Sequence, residues 1–318
     1  MTSEFDLIRR YFTRPATRTV LGVGDDAALV RVAAGRELAV STDMLLAGRH
    51  FLLDDDPFTL GHKALAVNLS DMAAMGATPR WALLSIALPE VNERWLSCFA
   101  EGWFALADQQ GVALIGGDTT KGPLTFSVTI MGEVAKGQAL RRSGAKVGDE
   151  IWVSGTLGDA TLALAYLQRR IRIAPHDAAA LLPRLHAPTP RVKLGQKLLG
   201  LAHSAIDISD GLLADLGHIL ELSGVGAEIR VAALPVSENV RGYLQDAVAR
   251  NAVLAGGDDY ELCFTAPAKQ HDAIVRMGRR LKLPLACIGE ITRQRKLVVL
   301  DENNHPLTFK EQGFDHFA

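Results

Sequence analysis

Residues 22–30 read GVGDDAALV, and the fold turns on how that stretch is read. Gly22, Gly24 and Ala27 fit the loose G-x-G-x-x-A turn of a dinucleotide-binding unit, and Asp43 follows at about the distance of the ribose-binding acid. Such a turn receives a pyrophosphate on backbone N–H groups at the start of a helix. Here two carboxylates, Asp25 and Asp26, stand where the anion would sit. Residues 28–32 and 37–41 are strand-like and are separated by Ala-Ala-Gly-Arg, which predicts a hairpin. With strands instead of a helix after the glycines, the dinucleotide match is a decoy.

Upstream, Ser3 predicts the N-cap of a first helix with Phe5, Ile8 and Phe12 on one face. Downstream, residues 58–76 have helical periodicity (Leu60, Ala64, Val67, Met72, Met75), with Gly76 and Pro79 as stop signals. Residues 81–88 predict a strand, 92–110 an amphipathic helix, and 112–115 and 124–133 two more strands. The glycine-rich polar stretch 132–150 predicts a boundary between domains at 1–137 and 148–318. Beyond it, strand 151–154 leads through residues 155–158 into a helix over 159–168. Ser209 or Asp210 predicts the cap of a helix whose Leu212, Leu213, Leu216, Ile219 and Leu220 share a face, closing at Ser223-Gly224. Strands near 228–231, 261–265, 286–288 and 296–300 complete a second domain that also mixes helices and strands.

With 318 residues, 48% hydrophobic and 22% charged, the chain has the composition of a soluble globular protein with a sizeable core. A net charge of −2 without any Lys/Arg block argues against a nucleic-acid footprint, so a phosphorylated ligand must be neutralised locally. The N-terminus lacks the apolar core of a signal peptide and no apolar run spans a bilayer, so no membrane association is expected and the cytoplasm is the expected compartment. Cys98, Cys263 and Cys287 form no C-x-x-C pair, which predicts reduced, mostly buried thiols.

Acidic residues recur at the ends of apolar elements: Asp25 and Asp26, Asp43, Asp71, Asp118, Asp207 and Asp210. A lone Asp in such a place is usually a cap or turn residue. Asp71 is harder to explain that way, because it falls inside a predicted helix, three positions after Asn68. The expected hairpin would bring Asp26 and Asp43 towards one pocket. Carboxylates about 4 Å apart repel by roughly 4 kcal/mol per pair at an effective dielectric of about 20, so a cluster of them needs cations. Hard oxygen donors suit magnesium, which takes one or two carboxylates together with waters and substrate phosphates. Asp25 and Asp26 would then hold metal, and the metal would hold phosphate. No Gly-Lys dipeptide, H-E-x-x-H or Gly-x-Ser-x-Gly occurs, which excludes the P-loop and leaves zinc-dependent or nucleophilic hydrolysis without an anchor.

The ordered set GVGDDAALV, STDM…AGRHF, HKALAVNLSDMAAMGA, IGGDTTKGP, RRSGAKVGD, SAIDISDG, GGDDYELCF and GFDHFA resembles the bacterial thiamine-monophosphate kinase family, of the aminoimidazole-ribonucleotide-synthetase-like superfamily, from about Phe5 to the last residue. The resemblance implies an α+β fold of two domains, an N-terminal mixed α/β domain whose sheet pairs across a homodimer and a C-terminal α/β domain closing a cleft. It implies that ATP phosphorylates thiamine monophosphate with the help of several magnesium ions. By motif, Asp26, Ser41, Thr42, Asp43, Asp71, Asp118, Asp207 and Asp210 match metal positions; Gly117, Asp118, Arg142 and Ser209 match the nucleotide site; His50, Asp258 and Phe314 match the thiamine-phosphate site. Asp258 stands where the family often has Glu, and Phe314 reads equally as an anchor packing on the second domain. Because the acceptor is an ionised phosphate, no general base is expected. Two alternatives stay open: another acceptor within the superfamily, as in selenophosphate synthesis or formylglycinamidine cyclisation, and a non-catalytic nucleotide or thiamine-phosphate binding protein.

Overall fold

Ser3 opens the first helix with a reciprocal pair: its hydroxyl accepts from the Asp6 N–H at 3.2 Å, and the Asp6 carboxylate accepts from the Ser3 N–H at 3.3 Å. Helix α1 (Glu4–Leu7) runs into a single π turn, Ile8–Phe12. Leu7 and Phe12 are buried, whereas Phe5 is 72% exposed. The structure, a computed structural model, describes residues 3–307 and 313. Two compact units divide the chain: Met1–Met72 with Ala77–Gly137, and Ala73–Gly76 with Gln138–Ala318.

In the first unit, β1 (Thr19–Leu21) pairs antiparallel with β2 (Leu29–Val30). The hairpin expected after residue 28 does not form. β3 (Arg36–Leu46) turns away from β2 and pairs antiparallel along its whole length with β6 (Thr125–Ala135). The local turn closes only a two-residue strand, while the distant partner offers eleven residues of ladder, so the non-local pairing wins. β4 (Thr78–Leu88) and β5 (Ala113–Lys121) complete a four-stranded sheet of order β3-β6-β4-β5. Helix α2 (Pro57–Ala74) starts with Pro at its first position and Asp56 accepting the Thr59 N–H at 3.0 Å. Helix α3 (Glu93–Gln110) is capped by the Asn92 side chain on the Trp95 N–H. Both helices lie on the face carrying Phe126, Val128 and Ile130, where Phe99 of α3 stacks on Phe126 at 4.7 Å. Alternation sends the neighbouring side chains to the opposite face. There Leu38, Val40, Met44 and Leu46 of the edge strand β3 stay exposed.

The second unit is built on a seven-stranded sheet of order β13-β12-β9-β11-β7-β10-β8. Its strands are β7 (Asp149–Ser154), β8 (Ser204–Ile208), β9 (Gly226–Arg230), β10 (Glu261–Pro267), β11 (Leu285–Thr292), β12 (Leu297–Leu300) and β13 (Pro306–Leu307). Its helices are α4 (Asp159–Leu167), α5 (Pro175–His186), α6 (Val192–Leu198), α7 (Leu212–Ser223), α8 (Glu238–Arg241), α9 (Ala247–Ala255) and α10 (His271–Leu281). Ile151, Val153, Ile206, Ile208, Leu216 and Ile219 anchor its core, each worth about 1.5–3 kcal/mol of burial. α7 ends in a left-handed Gly224, as the sequence predicts, but its N-cap is Gly211, so neither Ser209 nor Asp210 caps it. Cys263 is buried, while Cys98 and Cys287 are only half-buried, which corrects the expectation of mostly buried thiols; all three are free. Among the described residues no helix is long and apolar enough to cross a membrane.

Candidate functional site

In the first unit the GVGDDA segment forms no helix and crosses a cleft of 1160 Å³ on the sheet face away from α2 and α3. Asp25, Asp26, Gly117 and Asp118 line it together with Leu83, Ser85 and Thr129 of the sheet, and Phe5, Ile8 and Phe12 wall its other side. The three aromatic and aliphatic residues thus do share a face, and that face borders the cleft. Gly117 has φ +153° and lies so close to β4 that a Cβ would stand 1.8 Å from the Leu84 carbonyl oxygen. A side chain at 117 would therefore break the β4–β5 pairing that carries Asp118. Glu4, Asp25, Asp26 and Asp118 face the cleft against one guanidinium, Arg9, which leans on Asp6 at 3.7 Å. The lining is net acidic, and an anionic ligand entering it needs cations.

Ser41, Thr42 and Asp43 are consecutive in β3, so the pleat divides them. Ser41 pairs with Ile130 and Asp43 with Val128, on the helix-covered face. There Ser41 Oγ donates to Asp71 Oδ2 at 2.5 Å, and the Asp43 N–H donates to Asn68 Oδ1 at 3.2 Å. The mid-helix Asp71 thus has a partner, a hydroxyl of the neighbouring strand. Thr42 points to the cleft-bearing face, where its Oγ1 accepts from Thr129 Oγ1 at 3.1 Å. His50 Nδ1 accepts the Leu46 N–H at 3.0 Å, which puts any neutral-ring proton on Nε2. Its carbonyl accepts from the buried Lys63 at 3.2 Å.

In the second unit two loops are stitched together. The Asp258 N–H donates to Ser209 O at 2.9 Å and the Tyr260 N–H to Ile208 O at 2.8 Å. Gly257 permits the approach, since a Cβ there would lie 2.3 Å from the Ser209 carbonyl oxygen. Ser209, Asp210 and Asp258 are half-buried neighbours, and Asp207 is buried two residues before Ser209, in β8. Arg142 is exposed on a segment whose Arg141 carbonyl accepts the Ala205 N–H at 2.9 Å, beside the start of β8. Ser209 follows the other end of that strand, ~13 Å further along at the usual rise. Phe314 lies outside the described residues.

Sequence reasoning missed three groups here. Asp215 of α7 is buried and accepts the N–H groups of Ser209, Asp210 and Gly211, each at 3.1 Å. Burial and the adjacent Asp210 carboxylate push its pKa up to about 7 against the pull of those three donors. Asp259 accepts the Gly158 N–H on both oxygens, and burial holds its carboxyl well above the usual range. Glu261, fully buried, accepts from Ser154 Oγ, Arg184 and Arg191. An acid one turn into a helix that follows a Ser-Asp-Gly corner was the available signal for Asp215.

Among the described residues no three His, Cys, Asp or Glu side chains are grouped as a ready cation cage. The donors on offer are carboxylate and hydroxyl oxygens, with neither thiolate nor imidazole beside them in the cleft. That chemistry fits magnesium, which is held by one or two carboxylates and completed by waters and phosphate, and does not fit zinc.

Residues 24–134 match the family described as AIR synthase related protein, N-terminal domain, and residues 146–302 match the corresponding C-terminal domain. Thiamine-monophosphate kinase of Escherichia coli (strain K12) is 48% identical over 320 residues, covering 99% of this chain and 98% of that protein. A crystal structure of thiamine-monophosphate kinase from Stenotrophomonas maltophilia K279a superposes with a TM-score of 0.85 at 51% identity, covering 89% of this chain and 91% of that one. AaThiL complexed with AMPPCP and TMP superposes with a TM-score of 0.79 at 31% identity, covering 90% and 89%.

Proposed function

The chain belongs to the thiamine-monophosphate kinase family of AIR synthase related proteins, and from that premise we propose that it transfers the γ-phosphoryl group of ATP to thiamine monophosphate, giving thiamine diphosphate and ADP. The observation that carries the reading is the acidic cleft that Asp26, Gly117 and Asp118 line together, on a chain alike over 90% of its length to a relative solved with an ATP analogue and TMP.

The acceptor is an ionised phosphate, so the residues have no proton to remove; their work is to bring two polyanions together in line. The oxygen donors that would hold magnesium fall in three groups: Asp26 and Asp118 with Thr42 on the cleft-bearing face, Ser41, Asp43 and Asp71 on the helix-covered face, so that Asp43 does not share the cleft with Asp26 as the sequence predicts, and Asp207 and Asp210 in the second unit. Magnesium when bound would supply neutralisation of phosphate charge and alignment of the phosphates. Gly117 leaves the β5 backbone bare for a phosphate, and Ser209 offers a hydroxyl donor to the nucleotide. Arg142 would add a fork of N–H donors to phosphate oxygens. His50, Asp258 and Phe314 would take the thiamine phosphate, with Asp258 facing the cationic thiazolium. The exposed apolar stripe of Leu38, Val40, Met44 and Leu46 supports pairing of two β3 strands in a homodimer. Free thiols and the demand for ATP favour the cytoplasm.

The test is incubation of the purified protein with ATP, magnesium and thiamine monophosphate, scored for thiamine diphosphate and ADP in equal amounts. ATP turnover without thiamine diphosphate would move the reading to another acceptor, and ligand binding without turnover to a binding protein. Asp26→Asn, Asp71→Asn and Asp210→Asn are each expected to abolish turnover with the circular dichroism spectrum unchanged; full activity in all three would remove the metal assignment.

A further inference from the structure

We propose that Asp215 is a positioning residue for this phosphoryl transfer: its carboxylate sets the backbone of Ser209, Asp210 and Gly211 so that the Ser209 hydroxyl and the Asp210 carboxylate are presented together to the nucleotide polyphosphate. The inference rests on the kinase reading for what is presented, but not for how the segment is held.

A single oxygen, Asp215 Oδ2, collects three consecutive amides at 3.1 Å each. A helix leaves its first four N–H groups without partners, here those of the N-cap Gly211 and of Leu212, Leu213 and Ala214. Asp215 serves one of them, the Gly211 N–H, as the acid of a capping box does. The other two amides it binds, those of Ser209 and Asp210, precede the helix, and its own N–H donates to Gly211 O at 3.0 Å. The carboxylate therefore reaches back beyond the helix start and shapes the corner that carries Ser209 and Asp210. From the other side, Ser209 O is fixed by the Asp258 N–H at 2.9 Å. The corner is thus pinned through its donors by Asp215 and through its acceptor by the GGDD loop. Asp215 itself is 3% exposed and the N-cap Gly211 is buried, whereas Ser209 and Asp210 reach the surface. Asp215 is shut off from the ligand it organises, which separates its role from that of the acids around it.

Full-length Asp215→Ala and Asp215→Asn are the test, read by thermal unfolding, AMPPCP binding in the presence of magnesium, amide hydrogen exchange and steady-state kinetics. In Asp215→Ala the amides of Ser209, Asp210 and Gly211 exchange faster while those of β10 do not, AMPPCP binding weakens by at least about tenfold, and the melting profile is retained. In Asp215→Asn the amide oxygen accepts the same N–H groups, and AMPPCP affinity and kcat/KM return to within about threefold of wild type. Unchanged exchange and affinity in Asp215→Ala would overturn the proposal. So would loss of the fold, which would make the residue a structural brace, or an Asn variant as defective as Ala, which would make the charge itself the active feature. If the wild-type protein makes no thiamine diphosphate, the kinase reading falls, while exchange and AMPPCP binding still decide the role of Asp215.

Discussion

The Tyr260 hydroxyl donates to Oδ1 of Asp258 at 3.0 Å, and both residues have left-handed backbone, φ 49° and 65°. Such conformations cost non-glycine residues of order 1 kcal/mol or more each, and persist where the surroundings over-determine them. Here the bonds to Ser209 O and Ile208 O do so. The shorter acid at 258 is thus aimed by a fixed phenol. Tyr260→Phe removes that aim without emptying the site, and is expected to raise KM for thiamine monophosphate about fivefold with kcat little changed. Steady-state kinetics at saturating ATP measure it; an unchanged KM would separate Asp258 from the acceptor.

Val40 and Met44 are 57% and 56% exposed on the edge strand β3, flanked by Leu38 and Leu46 on the same face. An edge strand of eleven residues with four exposed apolar side chains on one face is an invitation to pair with another strand. A charge at Val40 would be buried without a partner in a dimer and be harmless in a monomer. Val40→Asp is therefore expected to shift the species in solution from dimer to monomer at micromolar concentration without lowering helix or strand content. Light scattering coupled to size exclusion decides it, and a wild-type monomer would refute the pairing.

Much of this was legible in sequence because the signals are local. The period of residues 58–76 gave α2, Ser3 gave the first cap, and Gly224 gave the end of α7. The hairpin was misjudged because strand choice is decided by partners distant in the chain: β3 meets β6 about ninety residues away, as Leu38 pairing with Glu133 illustrates. Ending the strand at Ser41 also hid the pleat. Once β3 runs to Leu46, Ser41 and Asp43 fall on one face and Thr42 on the other, a separation invisible when the three are read as one polar cluster. Asp215 was missed for a different reason: its partners are backbone amides, and the sequence marks them only through the spacing of an acid one turn after Ser-Asp-Gly.

Glu133 accepts the Ala33 N–H at 2.8 Å and Arg80 Nε at 3.1 Å, and these, the backbone donor first, hold its carboxyl below the usual range. A depressed folded-state pKa contributes stability above the unfolded value that is lost as pH falls through the folded one. Glu133→Gln is therefore expected to be less stable than wild type by about 1–2 kcal/mol at pH ~7, with the gap closing as pH drops from ~5 to ~3. Thermal unfolding of both proteins across that range checks the sign. A gap that widens on acidification would contradict it.

Glu261 is fully buried at the start of β10, facing Arg184 at 2.6 Å and both forks of Arg191, whose side chains are 23% and 15% exposed. A pair taken this far out of water adds little net stability, because desolvation offsets the attraction, but losing one partner leaves the other charge buried and uncompensated. Glu261→Ala is accordingly expected to cost about 3–5 kcal/mol, a fall of roughly 10 °C in Tm for a unit of this size. Arg191→Ala made in the same chain removes one stranded guanidinium, and Arg184 keeps Asp159 at 3.7 Å, so the double variant should recover part of the loss. Urea unfolding of the four proteins of the cycle yields the coupling. Additive losses would mean that Glu261 and Arg191 stabilise the second unit independently.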